Sequence, residues 1–478
     1  MSGTLMVGIS GIRGIVGVDL TPEIVARYAA AFGVWAQESS GARGQGSGSR
    51  RHRAVVVGRD ARTSGPMFAQ AAMAGLASVG CDVVDIGLTT TPSTQLAVEH
   101  HRAAGGIILT ASHNPIEWNA LKFVGPDGIF LDEPSGARVR ALAAGNGGAG
   151  GDDGNLPRAT WRTLGRVTPD PDALGRHIDA VLRLRAVDVA RIRRRRFRVA
   201  LDPCRGSGGA IMPALLERLG CRVSAIELET DGHFPRSPEP IPENLGALGR
   251  LVRRAKADLG IAVDPDVDRL AIVDERGVPI GEDYTLAFAI RAVLGRPARP
   301  RRAKRPVVVC NLSTSLVVED AARDCGAEVR RAPVGEAHVA KLMLEIGSPI
   351  GGEGNGGVML PALHVGRDAP VAAALFLTLL ARDGRRVSEI VAGSPRYAIV
   401  KAKAERGRDL APVYATLRAR FSDADVDMRD GLRLGWRDRW LHVRPSNTEP
   451  IIRFIAEAPS RAEAERLVEE GRAVCAGS

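Results

Sequence analysis

The 478-residue sequence predicts an α/β protein: three similar α/β domains with mixed sheets, then a smaller C-terminal α+β domain, around a central cleft. Three observations carry that expectation. The chain is too long for one core, since domains usually run to about 100–200 residues. Apolar β-type runs recur and end in small-polar turns: "AVVVGRDARTSG" (54–65), "FRVALDPCRGSGG" (197–209) and "PVVVCNLSTS" (306–315). Each run leads into a helix-like segment, a second strand beside adjacent Gly and Cys (80–87, 220–228, 325–335), and a third element ending in an unusual loop.

Those loops are "IILTASHNP" (107–115), "LGIAVDPDVDR" (259–269) and "SPIGGEGNGG" (348–357). If the units are duplicates the loops are equivalent, and parallel strands deliver them to one side of each sheet, which predicts a cleft lined by one loop per domain. The last segment breaks the pattern. "RWLHVRPSNTEPIIRFIAEA" reads as two strands around a turn, and "SRAEAERLVEEGRAV" as an amphipathic helix capped by Ser460. The expected domain limits are 1–165, 166–275, 276–394 and 395–478. Gly/Ser-rich stretches at 39–53 and 143–155 lack hydrophobic period and read as insertions.

Hydrophobic residues at 45% and charged residues at 25% are ordinary for a globular protein. The net charge of +10 favours anionic partners without choosing among phosphorylated metabolites, nucleic acid or an acidic surface. The run Arg193-Arg194-Arg195-Arg196 has no interleaved aromatic residue and reads as a solvated helix end, so no nucleic-acid partner is expected. Six cysteines, at 81, 204, 221, 310, 325 and 475, show neither C-x-x-C spacing nor a His partner at ligand distance, and are expected as reduced, mostly buried thiols. The start "MSGTLMVGISGIRG" is unlike a signal peptide, and no apolar run of roughly eighteen residues occurs, so a cytoplasmic protein without a membrane partner is expected.

In "DPDVDR", Asp264, Asp266 and Asp268 alternate with Pro265 and Val267, and strand-like spacing would aim all three carboxylates one way. Three clustered acids need a cation, and oxygen ligands favour a hard one such as magnesium; the other reading is a solvated acidic turn. An EF-hand fails because Arg269 stands where its turn glycine belongs and "LAIV" (270–273) reads as a strand. In "GGEGNGG", five glycines bare the backbone around Glu353 and Asn355, whose carboxylate and amide suit sugar hydroxyls; a plain glycine turn reads equally well. "RPSNTEPIIR" sets Arg444 and Arg453 about Ser446, Asn447 and Thr448, either an anion site or an Asx/ST turn. Ser112 follows a strand and precedes His113, Asn114 and Pro115, as a presented hydroxyl or as a turn or capping serine. No G-x-S-x-G occurs, which argues against acyl transfer; phosphoryl transfer uses all the parts.

In order, "GISGIRG" (8–14), "VVVGRDARTSG" (55–65), "TASHNP" (110–115), "DPDVDR" (264–269), "GEGNGG" (352–357) and "RPSNTEP" (444–450) resemble the motifs of the α-D-phosphohexomutase family over essentially the whole chain. The "SGIRGIVG" start and "GGEGNGG" look most like its archaeal-type phosphoglucosamine mutase branch, with phosphomannomutase and phosphoglucomutase as neighbours. The resemblance implies an isomerase that moves a phosphoryl group between the 6- and 1-positions of a hexose phosphate through a phosphoserine and a bisphosphate intermediate.

Carried over by position, Ser112 is the phosphorylated serine, and Asp264, Asp266 and Asp268 hold Mg2+ together with an oxygen on Ser112. Lys122 is the candidate general acid/base, Arg13 gives electrostatic support, His113 lies in a matching segment, and Arg269 helps hold the phosphoserine. Glu353 and Asn355 grip the sugar; Arg444, Ser446, Asn447, Thr448 and Arg453 clamp the phosphate that is not reacting. A hexose 1,6-bisphosphate primes the serine, the partner is a small phosphosugar, and the protein is a monomer or homodimer. Departures are Asn355 for the usual serine and Gly357 for the usual histidine of the sugar loop, Pro265 for a frequent glycine, Ile9 for a threonine, and Ala120 for the glycine before the lysine.

Overall fold

The computed structural model describes residues 5–8, 11–40, 54–145, 156–295, 305–405, 409–446 and 451–477. Most of both expected insertions (41–53 and 146–155) lies outside the described residues. The chain divides into two compact units, Met1–Glu282 with Gly357–Val387, and Asp283–Gly356 with Ser388–Ser478.

The first unit opens with a seven-stranded mixed sheet of β1 (Met6–Gly8), β2 (Gly11–Ile15), β3 (Ala54–Arg59), β4 (Asp82–Leu88), β5 (Gly105–Leu109), β6 (Trp118–Val124) and β7 (Val167–Pro169), in the order β1-β2-β6-β5-β3-β4-β7. β5, β3, β4 and β7 run parallel, while β2 and β6 join antiparallel. β7 lies past residue 165 yet completes this sheet. Val55–Val57 and Ile107–Leu109 are buried throughout, as parallel strands covered on both faces require. Phe32 of the helix Pro22–Ser39 stacks on Phe123 of β6 with ring centroids 4.9 Å apart. Gly105 allows this approach: a Cβ there would lie 2.7 Å from Phe32 Cζ.

A four-stranded sheet follows, of β8 (Arg198–Asp202), β9 (Arg222–Ala225), β10 (Leu259–Val263) and β11 (Leu270–Val273), in the order β11-β10-β8-β9 with only β11 antiparallel. In the second unit, β12 (Val307–Asn311) pairs in parallel with both β13 (Glu328–Ala332) and β14 (Gly351–Glu353). The antiparallel pair β15 (Gly357–Leu360) and β16 (His364–Arg367) and the helix Ala369–Asp383 belong again to the first unit.

The C-terminal sheet is antiparallel throughout: β17 (Ala398–Glu405), β18 (Asp425–Asp427), β19 (Leu432–Gly435), β20 (Trp440–Pro445) and β21 (Ile451–Ala458), in the order β17-β21-β20-β19-β18. Leu432, Leu434, Leu441, Val443 and Phe454 pack with Leu467 and Val468 of the closing helix Arg461–Gly477. All six cysteines are free thiols, and only Cys475 is less than fully buried. Burial pushes the Cys204 and Cys221 thiols up to about 12. Among the described residues no helix is long and apolar enough to cross a membrane.

Candidate active site

The loop after β5 is set by buried polar bonds. Thr110 Oγ1 donates to Asp60 Oδ2 (2.6 Å) and accepts the Ser112 N–H (2.9 Å). Ser112 sits at φ +49°, a left-handed conformation that costs a non-glycine residue roughly 1–3 kcal/mol and persists where the surroundings enforce it. Arg62 enforces it here. Its buried guanidinium donates to Asp60 Oδ2 (3.2 Å) and to four carbonyl oxygens: Ser112 (2.7 Å), Asn114 (2.6 Å), Pro115 (2.6 Å) and Trp118 (2.8 Å). Every N–H of the guanidinium fork is thereby used. Ser112 Oγ donates to Asp264 Oδ2 at 3.1 Å and lies 3.4 Å from His113 Nδ1.

Asp264, Asp266 and Asp268 lie in the loop between β10 and β11, all fully buried. Strand alternation is not what brings them together: Val267 turns the chain at φ +64°, a genuine outlier for a β-branched residue. The turn is closed by the Val267 N–H on the Asp264 carbonyl (3.1 Å) and by the Asp268 and Arg269 N–H groups on Asp264 Oδ1, both at 3.1 Å. One oxygen from each carboxylate then falls within 4.8 Å of the others. Asp266 Oδ1 and Asp268 Oδ1 are buried without a hydrogen-bond partner. Orphaned carboxylate oxygens converging in this way fit a hard divalent cation.

Four residues clasp this loop. Lys122 Nζ donates to Asp266 Oδ2 (2.8 Å), as does Thr91 Oγ1 (2.7 Å), and the Thr91 N–H donates to the Asp266 carbonyl (2.9 Å). Arg367 Nη2 donates to Asp268 Oδ2 (2.5 Å), and the Ala369 N–H to the Val267 carbonyl (3.2 Å). Burial and the charges of Asp268 and Asp266 hold the Asp264 carboxyl well above its usual pKa. Burial pushes Asp266 the same way, but the Lys122 ammonium and the bonds from Lys122 and Thr91 outweigh it and hold Asp266 low. Negative charge is therefore favoured on Asp266, beside Lys122, and disfavoured on Asp264, the acid that meets Ser112.

Arg13 Nη1 donates to Asn114 Oδ1 (2.7 Å), tying β2 to the serine loop. Arg269 Nη1 meets Glu239 Oε1 at 3.2 Å, and its Nε lies 3.7 Å from Asp268 Oδ1. The Arg269 guanidinium, with burial and Arg13, holds His113 well below the usual imidazole pKa, so it is neutral at pH 7.

The remaining candidates belong to the second unit. Glu353 does not reach out as "GGEGNGG" suggested. It is buried, and its Oε1 accepts Asn311 Nδ2 (2.8 Å) and the Gly335 N–H (3.1 Å), while Asn355 Nδ2 lies 3.5 Å from its Oε2. Arg444 and Arg453 are direct partners across β20 and β21, so their side chains leave the same face. Arg444 Nε pairs with Asp430 at 2.9 Å, and the Ser446 N–H donates to the Ile451 carbonyl at 2.8 Å. Asn447 and Thr448 lie outside the described residues.

Arg62, Thr91 and Arg367 were not singled out from the sequence. Asp60-x-Arg62 directly after an apolar strand was a usable signal, since a buried charge pair there must serve something local. Thr91 and Arg367 gave none: they reach the acid loop from 175 and 99 residues away.

A hydroxyl aimed at a carboxylate cluster able to hold a hard cation, under a lysine and three arginines, defines a site for chemistry on phosphate esters. Four descriptions match the chain in sequence: "Phosphoglucomutase/phosphomannomutase, alpha/beta/alpha domain I" at 4–147, domain II at 175–277, domain III at 281–397, and the "C-terminal domain" at 398–474. A "Phosphoglucomutase/phosphomannomutase" of Thermococcus kodakarensis is 36% identical over 467 residues, 97% of each chain. A "Probable phosphoglucosamine mutase" of Methanopyrus kandleri is 37% identical over 467 residues, 97% of this chain and 96% of that one. The crystal structure of a phosphoglucomutase/phosphomannomutase family protein from Burkholderia thailandensis superposes with a TM-score of 0.82 at 25% identity, covering 98% of this chain and 96% of that one. The chain belongs to the phosphoglucomutase/phosphomannomutase family of α-D-phosphohexomutases and is an isomerase that moves phosphate on a hexose phosphate.

Proposed function

We propose that the protein is a phosphoglucosamine mutase, interconverting glucosamine 6-phosphate and glucosamine 1-phosphate through a phosphoserine at Ser112. The placement of Ser112 Oγ 3.1 Å from Asp264 within the buried acid cluster supports the mechanism, and the similarity to the Methanopyrus protein supports the sugar. A magnesium ion held by Asp264, Asp266 and Asp268 would offset the roughly two negative charges of a phosphoserine at neutral pH.

The chain's own groups do the rest. Ser112 carries the phosphoryl group, and as the Oγ–P bond breaks toward a sugar hydroxyl, Lys122 exchanges the proton that the hydroxyl gives up and Oγ needs. Arg13 and Arg269 bring positive charge toward the oxygens of the transferring group. Asn355 holds the sugar, with Glu353 bonded behind it to Asn311 and the Gly335 N–H, and Arg444, Ser446, Asn447, Thr448 and Arg453 hold the other phosphate. The bisphosphate then reverses in place, and its second phosphate returns to Ser112. A hexose 1,6-bisphosphate loads the serine at the outset.

The test is turnover with the 1-phosphates of glucosamine, glucose and mannose, each primed with glucose 1,6-bisphosphate. Glucosamine 1-phosphate is expected to give the highest kcat/KM. A higher value for glucose or mannose would favour a phosphoglucomutase or phosphomannomutase, the reading that the Thermococcus relative supports. Independently, Asp266→Ala is expected to lower magnesium-dependent turnover roughly 10³-fold, as the loss of several kcal/mol of charge stabilisation requires. An undiminished rate would remove the metal assignment.

A further inference from the structure

The first N–H groups of a helix have no partner within it. In two helices these groups serve the acid loop: Thr91, the first residue of Thr91–His101, donates to the Asp266 carbonyl, and Ala369, the first residue of Ala369–Asp383, donates to the next carbonyl, Val267. The left-handed Val267 lies between these two carbonyls, so the spacing of the two helix starts bears on the turn that makes the carboxylates converge.

One side chain joins those helix starts. His177, buried on the helix Ala173–Arg183, places Nδ1 2.8 Å from Ser93 Oγ in the first turn of the Thr91 helix. Its Nε2 lies 2.8 Å from Oδ2 of Asp368, the cap of the Ala369 helix, whose Oδ1 accepts the Val371 N–H (2.9 Å). Both sides of the bridge are braced. Ser93 Oγ lies 2.7 Å from Thr90 Oγ1, and Asp368 Oδ2 also meets His364 Nε2 at 2.9 Å. The Gly366 N–H donates to His364 Nδ1 (3.1 Å), which assigns the proton of that ring to Nε2, facing Asp368.

We propose that His177 is a positioning residue for the acid loop: by bridging Ser93 and Asp368 it fixes the two helix starts that hold Asp266 and Val267, and so tunes the affinity of the acid trio for its divalent cation. The proposal rests on the reading that the trio binds such a cation. His177 touches none of the three acids, and its contribution is the outer support that commonly changes metal affinity tenfold or more.

The test uses the full chain and Mn2+, with the free aquo-ion followed by electron paramagnetic resonance and no sugar present. His177→Phe keeps the ring volume and removes both bonds; it is expected to weaken Mn2+ binding about tenfold. KM for the sugar phosphate at saturating Mg2+ should stay at the wild-type value, and His177→Gln, whose amide can still reach Asp368, should recover part of the loss. A folded His177→Phe protein with wild-type Mn2+ affinity would overturn the proposal. Should that variant not fold, Ser93→Ala decides, with an expected loss of about fivefold for one hydrogen bond, and unchanged affinity there would overturn it equally. Wild-type Mn2+ affinity in Asp266→Asn would instead mean that the metal reading itself is wrong.

Discussion

Ser112→Ala is expected to lose the phosphorylated fraction seen in the wild type by intact-protein mass spectrometry, and to lose turnover by roughly 10⁴-fold or more. The fold should persist, because the loop is held through the Ser112 backbone, by Thr110 on its N–H and Arg62 on its carbonyl, and not through its hydroxyl. Stability should fall only by about 1 kcal/mol for the lost bond to Asp264. Two other outcomes would each refute the assignment. Equal phosphorylation of the variant would place the phosphate elsewhere, and retained hydrolysis of phosphate esters would point to an aspartate of the acid loop as nucleophile.

Arg62→Met is expected to be the most damaging substitution outside the acid loop. It leaves Asp60 buried without its counter-charge and takes one donor from each of four carbonyls about the serine loop, and breaking a buried pair of this kind costs about 3–5 kcal/mol. The first thermal transition should drop by several degrees, and the folded fraction should be nearly inactive because the Ser112 carbonyl then loses the donor that helps to hold φ +49°. Arg62→Lys should not rescue activity, since an ammonium has three donors and no planar fork. A variant with wild-type melting and kcat would show that the loop holds itself.

How far the site was legible in the sequence depended on how locally it is encoded. Three aspartates within five residues mark an acidic cluster by composition alone, and Ser112 stands at the end of a buried apolar run. What converges the aspartates is a left-handed valine, and no composition rule predicts φ +64° for a β-branched residue. Glu353 was singled out, but its orientation was not anticipated: its carboxylate is drawn inward by Asn311, 42 residues earlier in the chain. The strand-turn repeat gave the three α/β sheets correctly because buried parallel strands read as continuous apolar runs. It did not reveal that β7 at Val167–Pro169 completes the first sheet, since three exposed residues carry no such run.

The distribution of the thiols has a practical consequence. Thiolate, not thiol, reacts with maleimides and iodoacetamides, and five of the six cysteines are buried, with Cys204 and Cys221 raised to about 12. Under native conditions a fluorophore or spin label should therefore attach at Cys475 alone, on the closing helix of the C-terminal sheet. The natural chain already carries a single-site reporter on its last domain, without any cysteine having to be removed.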